Sequence, residues 1–154
     1  MTTRNYTFAS EPAGKTYSLL LSSAVGLCKR TLLVVRPDLG LSSAGADLLE
    51  RLRPHGLRAH ARSSWPGTVL VQGSASVHES AFNATVARTL HSAAQRLFQW
   101  RQPELPEDLC LLREDGSPWL TTIAHEQEAY LSLSDAELEK LNRRFPEFTS
   151  TLRV

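Results

Sequence analysis

The segment Ala9-Ser10-Glu11-Pro12-Ala13-Gly14-Lys15-Thr16 comes nearest to a ligand-binding string in this chain. It fits a loose phosphate-binding loop, in which backbone N–H groups wrap an anion, Lys reaches the outer phosphate oxygens and Thr ligates Mg²⁺. Ala9 stands where the first glycine belongs, and Pro12 has no N–H to offer. The next apolar strand ends in Arg36-Pro37-Asp38, not in a magnesium-binding Asp. A small nucleotide-binding protein or enzyme built on Lys15 and Thr16 is therefore the alternative reading, set against an ordinary helix start.

His125-Glu126 opens like a zinc-hydrolase helix, but position 129 is Ala, so the second histidine of that platform is missing. His55, His60, His78 and His91 are scattered, and no serine stands in a nucleophile-elbow pattern. Cys28 and Cys110 lie in apolar contexts without metal-site spacing, which predicts reduced, buried thiols. Neither a metal nor a cofactor is expected. The arginines Arg51, Arg53, Arg58, Arg62, Arg88, Arg96 and Arg101 are spread over separate elements and not interleaved with aromatics, which argues against nucleic acid.

Charge is the remaining signal. Residues 1–103 carry twelve Lys or Arg against five acids, whereas residues 104–147 carry eleven acids against four bases. Glu104, Glu107 and Asp108 precede a strand, Glu114 and Asp115 occupy a hairpin tip, and Glu126 and Glu128 flank the next bend. Acids at loops and tips stay exposed, and a ring of them offers charge-assisted contacts to a basic partner. Trp65, Trp100 and Trp119 would supply aromatic anchors where exposed. The alternative is a merely solvated acidic face.

The elements that position these residues follow from periodicity. Asn5–Ala9 alternates weakly as a first strand, and Tyr17–Cys28 reads as a buried helix. Thr31–Arg36 is a buried strand ended by Pro37, and Ser42 or Ser43 caps a helix that stops near Arg53. Leu57–Arg62 and Thr68–Gln72 read as strands. Ser76 and Glu79 form a capping box, and Phe82, Val86, Leu90 and Leu97 follow at helical steps, predicting one long central helix to about Trp100.

Leu109–Arg113 and Trp119–Ala124 flank an Asp115-Gly116 turn in which both central residues would take positive φ. Glu128–Leu133 adds a strand. Ser134 and Glu137 make a second capping box for a helix carrying Leu138, Leu141 and Phe145. These elements predict one α+β domain over residues 1–154, a mixed or mainly antiparallel sheet with about four helices packed on it.

At 154 residues, 42% hydrophobic and 21% charged, the chain has ordinary globular composition. Its longest apolar runs are far too short to span a bilayer, and the N-terminus lacks the apolar stretch of an export signal, so a cytoplasmic protein is expected.

Pro106-Glu107-Asp108-Leu109, Arg113, Asp115-Gly116, Trp119-Leu120 and Ala124-His125-Glu126 together resemble the C-terminal part of small bacterial immunity proteins of polymorphic toxin systems. The resemblance covers about a quarter of the chain and carries no fixed motif. It implies a cytoplasmic, non-catalytic protein that binds a cognate toxin domain with a basic surface. The partner-binding residues expected on the acidic segment are Glu104, Glu107, Asp108, Glu114, Asp115, Trp119, His125, Glu126 and Glu128.

Overall fold

The computed structural model describes all residues 1–154 as one α+β domain. Ten strands run in chain order: β1 (Arg4–Phe8), β2 (Cys28–Val35), β3 (Arg58–Arg62), β4 (Ser64–Trp65), β5 (Thr68–Val69), β6 (Ala75–Ala81), β7 (Glu107–Arg113), β8 (Pro118–Ile123), β9 (Glu128–Leu133) and β10 (Leu152–Arg153). Five helices accompany them: α1 (Lys15–Ala24), α2 (Ser43–Leu52), α3 (Ala84–Ala93), α4 (Asp135–Arg144) and α5 (Pro146–Thr149). Eight strands form one sheet in the order β10-β1-β9-β8-β7-β2-β6-β3, and β4 and β5 form a separate hairpin. Every pairing in the sheet is antiparallel. No helix is long and apolar enough to cross a membrane.

The alternation of strand side chains builds two cores. Leu33 of β2 and Leu109 and Leu111 of β7 face a large core shared with Leu20, Leu48, Val86, Leu90, Leu141 and Phe148 of the helices. Their neighbours Leu32, Val34, Cys110 and Leu112 face the opposite side, where Trp65 of the β4–β5 hairpin closes a smaller core with Ala75 and Val77. Both faces of β7 are therefore covered and all seven of its residues are buried. Within the large core Tyr17 donates to the Leu90 carbonyl at 2.8 Å and accepts from Trp100 Nε1 at 3.0 Å. Burial raises the Tyr17 phenol above its ordinary pKa, more than the Trp100 bond lowers it.

Several expectations hold. Ser42 caps α2, its hydroxyl accepting from Gly45 N at 3.1 Å. The Ser134–Glu137 capping box is present at α4, with both reciprocal bonds made. Cys28 and Cys110 are free and buried.

The long helix from Ser76 does not form. Ala75–Ala81 is a strand whose Ala75 and Val77 face the smaller core, and it supplies β2 with a neighbour over six residue pairs. The helix starts only after Asn83, whose side chain accepts from Val86 N at 2.9 Å, and stops at Ala93. A tertiary demand for strand pairing outweighs the local capping signal. The first helix likewise ends at Ala24, because Gly26 at φ 92° turns the chain into β2. The strand expected at Thr68–Gln72 shrinks to Thr68–Val69. In the β7–β8 turn only Gly116 takes positive φ, 86°, and Gly116 N donates to Arg113 O, so the turn is closed by one left-handed residue and not two.

Candidate functional site

β2, β7 and β8 bring charged side chains together at one end of the sheet. Arg36 follows β2, Glu107 and Asp108 open β7, and His125 sits in the short helical turn Ala124–Glu126 after β8. The Arg36 guanidinium spans both acids, with Nε 3.3 Å from Glu107 Oε2 and Nη2 4.0 Å from Asp108 Oδ2. It also lies over the Trp65 ring, 5.4 Å from its centre. Both carboxylates are inside, their side chains 0% and 1% exposed.

Each acid is held by donors. Glu107 Oε1 accepts from Gln102 N at 3.2 Å and from His125 Nε2 at 2.6 Å. Asp108 accepts from Trp65 Nε1 at 3.0 Å and from Ala124 N at 2.9 Å. Asp108 has φ 55°, a left-handed conformation that Asp tolerates better than most residues. That twist lets consecutive acids serve different partners. The Gln102 side chain fixes the Arg36 backbone from both sides, accepting from Arg36 N at 2.6 Å and donating to Arg36 O at 3.1 Å.

The acidic segment is thereby divided. Glu107, Asp108 and Trp119 were expected among exposed partner-binding residues, but all three are buried and offer no surface to a partner. The reason is that β7 begins at Glu107 with both faces covered, where Arg36 neutralises the acids as an ion pair and Trp65 donates to Asp108, while Glu107 Oε2 has the ion pair but no hydrogen bond. Trp65 and Trp100 are also buried, so no tryptophan is an exposed anchor. Glu104, Glu114, Asp115, Glu126 and Glu128 are exposed, and His125 is partly so.

The exposed acids do not form one ring. Glu114 and Asp115 lie at the β7–β8 tip, whereas Glu126 and Glu128 lie beyond the far end of β8, with Ile123 paired to Glu128. Six residues of strand separate them by about 20 Å. Asp115 is occupied locally, its carboxyl held below the usual range by hydrogen bonds from the Ser117 hydroxyl and N–H.

Glu128 instead meets aromatic surface. A groove of about 590 Å³ lies where the end of β1 and the start of β9 meet the segment after β1, lined by Phe8, Glu11, Phe98, Gln127, Glu128 and Tyr130 among others. Gln127 at φ 54° makes the bend that sets Glu126 and Glu128 on either side. Glu11 is engaged by Arg96 at 3.0 Å and by Phe98 N at 2.9 Å. Glu126 and Glu128 have no ion-pair or hydrogen-bond partner for their side chains. Phe8, Phe98 and Tyr130 are all partly buried, with Phe8 and Phe98 packed against the large core.

In the phosphate-loop segment Ala9 N donates to Thr151 O and Gly14 N to Gln95 O, so these N–H groups are not turned toward an anion. Lys15 Nζ pairs with Glu147 at 2.8 Å. His125 hydrogen-bonds only Glu107, and the groove beside Glu128 is not lined by Glu107, Asp108 or His125.

Arg36, Gln102 and Phe98 escaped the sequence reading. An arginine directly after a buried apolar strand was the available signal for Arg36; Gln102 and Phe98 carried none. Comparison with protein-family models, curated proteins and solved structures gives no match, so the site is read from its geometry alone.

Proposed function

We propose that this chain is a protein-binding protein without catalysis of its own, an immunity protein that neutralises a bacterial toxin domain in the cytoplasm by seating on its basic surface. The observation that carries the reading is the groove at the shared end of β1 and β9. Glu128, an unpaired carboxylate, stands at the rim of a cleft walled by Phe8, Phe98 and Tyr130. That combination suits an arginine side chain, whose planar guanidinium stacks on an aromatic face while its N–H fork meets a carboxylate. Glu126 and Glu104 lie at the same end of the sheet and add to the field that would draw in a basic partner. The buried acids contribute differently: Glu107 and Asp108 fix the end of β8, and with it the bend that presents Glu126 and Glu128.

The test is affinity purification of the chain from its native cells, with mass spectrometry of proteins that co-elute one to one. A basic domain that is retained by the wild type and lost on Glu128→Arg and on Tyr130→Ala is the expected result. Retention of no protein, or of one indifferent to both substitutions, removes the reading.

A further inference from the structure

We propose that the outer edge of β3 is a strand-addition site for an extended acidic segment of a partner protein. β3 ends the sheet, pairing with β6 from Arg58↔Glu79 to Arg62↔Ala75 and with no strand on its other side. All five of its residues, Arg58-Ala59-His60-Ala61-Arg62, are exposed. Beyond the β6 ladder none of them takes a backbone or side-chain hydrogen bond, and neither arginine has an ion-pair partner. An unpaired row of N–H and C=O groups is the template on which an extended peptide adds to a sheet.

Side-chain alternation decides what can add. Arg58, His60 and Arg62 share a face with Glu79, Val77 and Ala75, their register partners on β6. Arg30 of β2 stands on that face too, 3.3 Å from Glu79, and with Lys29, Arg58, His60 and Glu79 itself it lines a shallow groove of about 450 Å³ in which three Lys or Arg outnumber the one acid. The other face of β3 carries only Ala59 and Ala61, small enough to leave the backbone open.

A second copy of this chain is a poor occupant. An antiparallel pair centred on His60 would set Arg58 against Arg62 twice, and like charges directly opposite are destabilising. An incoming strand with acids at alternate positions meets the arginines as opposite-charge pairs and lays its other side chains over the alanines. The same charges that keep the edge from pairing with itself therefore select an acidic strand. This surface does not depend on the β1–β9 groove, which lies five strands away across the sheet, about 24 Å.

The test uses the full chain with two short labelled peptides, one alternating Glu and Val and the other alternating Lys and Val, and a short single-stranded RNA. The expected result is binding of the Glu/Val peptide, with amide shift changes and slowed exchange centred on Arg58–Arg62. The double variant Arg58→Glu/Arg62→Glu should lose about tenfold or more in affinity for it and gain the Lys/Val peptide instead. N-methylation of alternate peptide amides, tried in both registers, should abolish binding in the register whose donors face β3. Equal affinity of both methylated peptides, binding unchanged in the double variant, or no binding of the Glu/Val peptide would overturn the proposal. RNA binding at these residues without peptide binding would overturn it in favour of a phosphate-backbone site.

Discussion

Replacing Arg36 by Met should unfold the protein more readily than its partly exposed position suggests. Methionine keeps part of the stem over Trp65 but removes the charge that Glu107 and Asp108 share. Two carboxylates then remain inside the protein with only hydrogen-bond donors and the partly exposed His125 around them. Breaking a buried pair by removing one partner costs about 3–5 kcal/mol, because the partner's charge stays buried. The lost stacking on Trp65 adds about 0.5–1 kcal/mol. Against a total stability of about 5–15 kcal/mol this is a large fraction. With a urea slope of about 2 kcal/mol/M, the midpoint should fall by roughly 1.8–3 M. The assay is urea unfolding followed by tryptophan fluorescence, with Arg36→Met, Glu107→Gln and the double variant compared as a cycle. The double variant should lose less than the sum of the singles, by about 1–3 kcal/mol. A midpoint drop under about 0.5 M at unchanged slope, or strict additivity, would refute the reasoning.

Three further outcomes follow from the interior. Tyr17→Phe removes the acceptor of Trp100 Nε1 and the donor to Leu90 O, and should cost about 1–3 kcal/mol in the same unfolding assay. Cys110 is pushed up to about 12, chiefly by burial, so the unfolded thiol ionises first as pH rises above about 8.5. Stability should therefore be unaffected by this group below that pH and decline by about 1.4 kcal/mol per pH unit above it, a slope that Cys110→Ala reduces in unfolding curves collected from pH 8 to 10. Neither cysteine should react with a thiol reagent in the native state at neutral pH. Burial raises the Glu137 carboxyl, but hydrogen bonds from Arg113 and Ser134 N–H outweigh it and hold the group below its ordinary range. Its contribution is present above about pH 4.5 and lost as pH falls through the lowered value, so Glu137→Gln should flatten the acid limb of thermal stability.

What the sequence disclosed was what local chemistry decides. The strand Glu128–Leu133, the Ser134–Glu137 box and the Ser42 cap depend on neighbours within a few residues, and each stands where periodicity and capping place it. Ser76 and Glu79 satisfied the same capping rule yet lie in a strand, because β2 needed a partner and that need is set some fifty residues away. Glu107 and Asp108 misled for a related reason. Two acids between Pro106 and Leu109 look solvated until Arg36 and Trp65, distant in sequence, are folded against them. The bend at Glu126 and Glu128 was legible; the aromatic wall beside it was not, since Phe8, Phe98 and Tyr130 come from three separate stretches.

The register of β1 has a consequence for the protein's synthesis. Thr7 pairs with Arg153, and Arg4 to Thr7 pair with Leu133 to Tyr130. β1, made before every other strand of this sheet, is thus among the last to be stitched. At about 5–20 residues per second, Thr7 waits roughly 7–30 s for the partner 146 residues downstream to be made. Until Tyr130 to Leu133 of β9 are made, which is most of that interval, the segment carrying Tyr6 and Phe8 has no native strand neighbour on either side, and nascent-chain binders have their longest opportunity there.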